Sequence, residues 1–395
     1  MERRFLKIII FTSLLITSCQ QIPINESNKK FVGDNIDKQN LEIDLKKQEK
    51  IISYHSDIWS YILTNSSYTS DSLDEQTLMY MNRHLQDLDK FKEFLNDSYY
   101  FIFFVIEELE NAKLPIELAF LPYIESNYDP FSISSSGAVG MWQFMPRTGR
   151  TYDLERSWWN EDRHDPFKST SAAIKYLKYL YERFDQDLYL TLAAYNAGPS
   201  FLDRQIKRNQ RRGLNTDYWS LDLSIQTRNY VPKFIAIKEL IINSDQYDIE
   251  LPFIPYEPVV AKIEIPGQVE ILTLSEYLNI KPELLYKLNA GYTKWASAPS
   301  EKSVFYIPIE QYDYFQTSEN PFSDSNQINW ISHTVETGDS LWSLARKYDT
   351  EVRIIREINL LENDLLSINA TLLIPLSKTE SYIFIPYDMD IVSEC

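Results

Sequence analysis

Cysteine is nearly absent: the 395-residue chain has two, Cys19 and Cys395, and one of them sits on its last position. No disulfide framework is available to it. His55, His84, His164 and His333 have no metal-ligand spacing, there is no cysteine cluster, and none of the nine glycines builds a phosphate-binding loop. Neither a metal nor a cofactor is implied. Positive charge is short as well, 39 basic against 57 acidic residues and a formal net charge of -18. A surface of that sign repels phosphates and argues against a nucleic-acid partner. Long apolar runs are missing too. The segments Ile8 to Ile16 and Tyr99 to Leu109 fall short of the roughly 20 residues that cross a bilayer as a helix.

What is present is a globular composition, 44% hydrophobic and 14% aromatic, at a length that accommodates two or three domains. Arg3, Arg4 and Lys7 precede the apolar run Ile8 to Ile16, and Ile16-Thr17-Ser18 leads into Cys19, the pattern of a secretion signal. Residues 20–50 are rich in Asn, Gln, Lys and Asp, as in a flexible tether. Helical spacing follows from Ile51 to Leu63 and from Leu78 to Phe94, and YYFIFFVIEEL at 99–109 reads as a buried helix. Ser169-Thr170-Ser171 is expected to cap a helix with the stripe Ala173, Leu177, Leu180 and Phe184. Asp187 precedes a helix from Leu188 to Asn196 that Gly198-Pro199 ends, and a last helix runs from about Gln226 to Ile242. The basic run RQIKRNQRR, 204–212, reads as a solvated helix face.

The chain is organised around LPIELAFLPYIESNYDPFSISSSGAVGMWQFMP, residues 114–146. A helix from Ile116 to Ile124, bent or restarted at Pro122, places Glu125 at its negative end. Walled in by Tyr123, Trp142 and Phe144, that carboxyl would hold a proton near neutral pH, as a general acid must. Ordinary glycosidases use two carboxylates, yet no acidic residue lies between Asp129 and Asp153, and Asp129 before Pro130 reads as a turn residue.

Glu125-Ser126, Gly140-Met141-Trp142-Gln143, Ala194-Tyr195-Asn196-Ala197-Gly198 and Asn229-Tyr230-Val231 come in the order of the goose-lysozyme-like lytic transglycosylase signature. TRNYVPK at 227–233 most resembles the D-type subfamily, which usually has Glu where Gln226 stands. The resemblance implies a mainly α, lysozyme-like catalytic domain in which Glu125 is both acid and base. It implies that Ser126, Ser134, Met141, Gln143, Tyr195, Asn196 and Tyr230 line the sugar site. It further implies cleavage between N-acetylmuramic acid and N-acetylglucosamine of peptidoglycan with a 1,6-anhydromuramoyl product. A goose-type lysozyme recruiting Asp153, Glu161 or Asp165 for water, and an inactive glycan-binding lipoprotein, stay open as alternatives. Ile-Thr-Ser-Cys resembles the bacterial lipobox, which implies acylation of Cys19, a membrane anchor and, with Gln20 next, the periplasmic side of the outer membrane.

Prolines at 252, 255 and 258 mark a boundary, after which the chain repeats itself with an offset of seventy positions. Ile265 falls on Val335, Leu274 on Leu344 and Leu288-Asn289 on Ile358-Asn359, and Tyr306-Ile307-Pro308 lies close to Leu373-Ile374-Pro375. The second copy, 331–375, resembles a small α+β (βααβ) LysM module, a glycan binder. In it a turn at Gly338 precedes Asp339, expected to cap the first helix. The first copy, within 251–320, lacks the Gly-Asp turn, carries a longer insertion and reads as degenerate. The expected plan is a leader 1–18, a tether 19–50, the catalytic domain 51–245, the two LysM-type copies and a tail 376–395.

Overall fold

The computed structural model describes residues 57–66, 73–157, 159–298, 302–318, 322, 329–359, 361 and 363–376. The expected leader, the acylation site Cys19, the tether and the tail beyond Leu376, with Cys395, lie outside the described residues.

Three aspartates start the first three helices of the described residues by accepting backbone N–H groups that would otherwise be orphaned. Asp57 caps α1 (Ile58–Asn65), Asp74 caps α2 (Glu75–Leu85) and Asp87 caps α3 (Leu88–Asn96). The helical spacing read from Leu78 to Phe94 is thus two helices, because Asp87 turns the chain and begins again. Helix α4 (Ile102–Ala112) buries Ile102, Val105, Ile106 and Leu109, and Lys113 ends it with φ +59°. The stretch read as one helix from Ile116 is a 3-10 turn, Ile116–Phe120, followed by α5 (Leu121–Glu125) with Pro122 in its first turn. Glu125 is the last residue of α5. Helix α6 (Pro146–Thr151) follows.

Helix α7 (Pro166–Arg183) begins earlier than expected, capped by Asp165, whose carboxylate accepts from Phe167 and Lys168. Ser169 and Thr170 are buried inside it instead of capping it. Proline explains the difference: Pro166 lacks an N–H and is preset for the first helical position. The stripe Ala173, Leu177, Leu180 and Phe184 is buried as read. Helix α8 (Leu188–Ala197) is capped by Asp187, and Gly198, at φ +84°, turns directly into α9 (Pro199–Arg211). The basic run lies on α9, where Arg208 pairs with Asp222 at 2.9 Å. Short α10 (Ile225–Arg228) leads into α11 (Tyr230–Ile242), buried along almost its whole length and packed against α2, α5 and α8.

Two βααβ units follow. The first is β1 (Val260–Pro266), α12 (Ile271–Leu278), α13 (Pro282–Leu288) and β2 (Lys302–Pro308), with α14 (Tyr312–Thr317) after it. The second is β3 (Asn329–Thr334), α15 (Leu341–Lys347), α16 (Val352–Ile358) and β4 (Thr371–Leu376). In each, the first and last strands pair antiparallel. One asparagine after the second helix locks each unit. Asn289 Nδ2 donates to the Leu285 and Tyr306 carbonyls while its Oδ1 accepts from Tyr306 N–H, all at 2.8 Å. Asn359 does the same with Ile355 and Leu373, at the same distances. Gly267 and Gly338 turn the chain with φ +76° and +100°. Asp339 does not cap α15. Ser340 does, in a capping box with Ser343, while Asp339 accepts from Glu336 N–H and contacts His333.

Each lock pairs backbone groups on the edge of the closing strand, and in the first unit it does so with a buried side chain that water does not easily replace. Removing it leaves backbone groups unpaired at a cost of about 1–3 kcal/mol. Asn289→Ala should lower the urea midpoint of the unit it sits in more than Asn359→Ala does in the second, since Asn289 is buried and the Asn359 contacts to Leu373 are exposed.

Candidate active site

Glu125 sits where α5, α8 and α11 meet. The Tyr230 hydroxyl, on the first residue of α11, donates to Glu125 Oε1. Oε2 makes no hydrogen bond among the described residues, and Glu125 is half-buried. Burial pushes the carboxyl up to about 7 from its ordinary 4.5, while the Tyr230 hydrogen bond and the Lys233 ammonium pull the other way. Loss of hydration therefore outweighs both stabilising contacts. Tyr195, on α8, is near enough to feel the carboxylate, and burial and Glu125 together raise its phenol well above the ordinary value. Tyr123 turns away to Leu95 and Ser98, and Trp142 is fully buried with Nε1 on Thr170 of α7 at 2.9 Å. The tyrosines Tyr230 and Tyr195 are the aromatic groups coupled to Glu125.

The segment after Glu125 forms a compact loop pinned on itself. Val139 bridges both Ile133 and Phe144. Ser126 Oγ donates to the Met141 carbonyl at 2.8 Å, and Tyr195 Oη to the Trp142 carbonyl at 2.8 Å. Gln143, at φ +49°, sends Nε2 to the Gly140 and Ser132 carbonyls at 2.9 and 3.2 Å. Those contacts leave its side-chain oxygen available. Ser134 is placed in a turn, its hydroxyl accepting from Ala138 N–H at 2.9 Å. Asn196 Oδ1 accepts from Thr227 Oγ1 at 3.0 Å and ties α8 to α10. Tyr230 and Tyr195 are thus brought to Glu125, Ser126 and Met141 are joined beside it, and Ser134 and Asn196 are held by turn and helix contacts of their own.

The residues that hold this loop have other roles than the sequence suggests for them: Glu161 is named there only as a candidate base for water, His164 only as lacking metal-ligand spacing, and Arg163 by no motif. Arg163, buried, makes a bidentate pair with Glu161 at 2.8 and 2.9 Å and gives its remaining nitrogen to the Gly137 and Phe144 carbonyls at 3.3 and 3.1 Å. His164, also buried, donates from Nδ1 to the Pro130 carbonyl at 2.7 Å. A carbonyl only accepts, which fixes the tautomer. Gly140 has φ +81°, and a Cβ there would stand 1.9 Å from the Arg163 carbonyl oxygen. The signal was the run NEDRHDP, 160–166: three acids, an arginine and a histidine between apolar segments. Charge runs usually lie on the surface, so nothing local marks Arg163 and His164 as buried.

Residues 104–217 match the transglycosylase SLT domain family, and residues 333–375 match the LysM domain family. Membrane-bound lytic murein transglycosylase D of Escherichia coli (strain K12) is 29% identical over 325 residues, covering 78% of this chain and 70% of that protein. With an SLT domain followed by a LysM domain, the chain is a lytic transglycosylase similar to transglycosylase D. Membrane-bound lytic murein transglycosylase F of Alcanivorax borkumensis is 33% identical over 108 residues, 26% of this chain and 22% of that one. The 70 kDa soluble lytic transglycosylase of Escherichia coli aligns over 47% of this chain and 32% of its own at 20% identity, with a TM-score of 0.31.

In this transglycosylase, two of the three acids named as alternatives for water activation are otherwise engaged, and the third, Asp153, lies exposed in the turn after α6. Glu161 is paired with Arg163, and Asp165 caps α7. Asp129 accepts from Phe131 N–H at 2.9 Å. The raised Glu125 value sets a stability signature. Its folded pKa of about 7 lies above the unfolded one, so the folded state binds the proton more tightly and loses stability as pH rises from about 4.5 to 7. The loss is at most about 3 kcal/mol. Glu125→Gln should therefore be more stable than the parent at pH 8, with the gain disappearing near pH 4.5 in parallel thermal melts.

Proposed function

We propose that Glu125 alone performs acid and base catalysis in a transglycosylation that cleaves the bond between N-acetylmuramic acid and N-acetylglucosamine in peptidoglycan. The observation that carries this reading is a single carboxyl, held by Tyr230 and raised to about 7, with Glu161 and Asp165 already committed elsewhere. At neutral pH about half of it is protonated, which suits a group that must give and then take one proton.

Glu125 donates its proton to the glycosidic oxygen as the bond from C1 breaks, and the sugar at C1 takes on oxocarbenium character. The resulting carboxylate faces that charge and then removes the proton of the C6 hydroxyl as its oxygen bonds to C1. The product is a 1,6-anhydro ring, Glu125 is protonated again, and no water is consumed. Tyr230 orients the carboxylate and stabilises its charged form through Oε1, leaving Oε2 for proton transfer. Tyr195, anchored on the Trp142 carbonyl, shapes the same wall. Dipoles fixed before the reaction stabilise its charge without reorganising. The free oxygen of Gln143 is suited to an N-acetyl N–H, and Ser126, Ser134 and Asn196 are assigned to the sugar cleft with it; Met141, expected there too, is fully buried and backs the cleft from the core.

The LysM domain is the second glycan contact, and holding the enzyme on the wall raises local substrate concentration. A lipid on Cys19 would add a membrane anchor and place the enzyme in the cell envelope, at the outer membrane facing the periplasm. No metal or cofactor enters the reaction. The alternative of a hydrolase acting on the same bond is distinguished by its products. Mass spectrometry of muropeptides released from purified sacculi should give 1,6-anhydromuramoyl ends, absent with Glu125→Gln. Reducing muramic ends would make the enzyme a hydrolase.

A further inference from the structure

We propose that the first βααβ copy has become a positioning element of the catalytic unit, holding the 159–165 loop against the loop around Glu125, while the second copy remains a separate module. The catalytic half of this inference rests on the transglycosylase reading; the structural half does not.

The copy is joined to the catalytic domain by backbone pairing as well as by side chains. Glu161 N–H donates to the Gly291 carbonyl and Thr293 N–H to the Trp159 carbonyl, each at 2.9 Å, and Asn160 and Tyr292 form an antiparallel bridge between them. Gly291 lies so close to Asp165 that a Cβ there would stand 2.8 Å from the Asp165 Cβ. Tyr306 stacks on Phe167, the second residue of α7, with centroids 3.7 Å apart. Leu288, fully buried, belongs to the catalytic core, and Phe131, six residues after Glu125, packs on the copy's own core.

The loop that receives these contacts is the one that holds the catalytic loop. Its Arg163 binds the Gly137 and Phe144 carbonyls and its His164 the Pro130 carbonyl. A shift in 159–165 is therefore passed to 130–144 by hydrogen bonds on both flanks. The two copies differ in the place that matters. The asparagine lock spans 17 positions in the first copy and 14 in the second, and the longer segment contains Gly291 and Tyr292. The core of the second copy, by contrast, is built from its own residues, Val335 to Ile374. Docking to the catalytic domain thus accompanies the insertion that made the first copy look degenerate.

The test uses the full chain with Gly291→Ala and Gly291→Val, beside deletion of 331–375. The Gly291 variants should speed hydrogen exchange of amides in 130–144 and lower kcat about tenfold or more, with KM within about twofold, since misplacement near an ångström costs rates of this order. Their binding to sacculi should be unchanged, whereas the deletion should weaken binding and leave exchange in 130–144 as it was. Unchanged exchange in 130–144, or faster exchange with unchanged kcat, overturns the proposal, as does a loss of sacculus binding at constant kcat. Should Gly291→Val not fold, Gly291→Ala carries the same readouts with one methyl group. Reducing ends among the products would overturn the reaction class while leaving the exchange result standing.

Discussion

The buried pairing of Arg163 with Glu161 is the constraint on which the site depends. Both side chains are almost fully buried, and breaking such a pair by removing one partner costs about 3–5 kcal/mol because the other charge is stranded. Arg163 is not spent on Glu161 alone. It also gathers two carbonyls of the 137–144 loop, and its own carbonyl fills the space that only a glycine at 140 leaves open. The loop is thereby fixed at both ends, and Ser126, Tyr195 and Gln143 find their carbonyl partners on a backbone that does not move away from them.

Glu125 shows how such fixed surroundings tune an acid. Desolvation raises it, Tyr230 and Lys233 lower it, and the balance falls near neutrality. A stronger partner, such as an arginine, would hold it charged and useless as a proton donor; no partner at all would raise it further and leave it too weak an acid to protonate the leaving oxygen. The tyrosine hydroxyl is the intermediate choice. It hydrogen-bonds the carboxylate without bringing a full charge.

Much of this was legible in the sequence, for identifiable reasons. Glu125 stood out because it ends an apolar run and is followed by a stretch without acids, and Tyr195 and Tyr230 came from the resemblance. The helical stripe of α7 followed from steps of three and four, which side-chain direction enforces in any helix. What was missed depends on contacts between distant segments. Nothing local tells Asp165 from Ser169 as a cap except the proline that follows it, and nothing local says that Arg163 is buried. The repeat was visible as an offset of seventy, but its asparagine lock was not, because the partner carbonyl lies on a strand 14 or 17 positions away.

The two copies show one architecture put to two uses: the second with its own core, the first sharing residues with the catalytic domain. The reaction they serve assumes an acid at Glu125 that is about half protonated at neutral pH. Carbon-13 NMR titration of labelled glutamate carboxyls, with the Glu125 signal assigned by its absence in Glu125→Gln, measures this directly. A midpoint near 7 is what burial beside Tyr230 requires. A midpoint near the ordinary 4.5 would contradict it and leave the reaction without its proton donor.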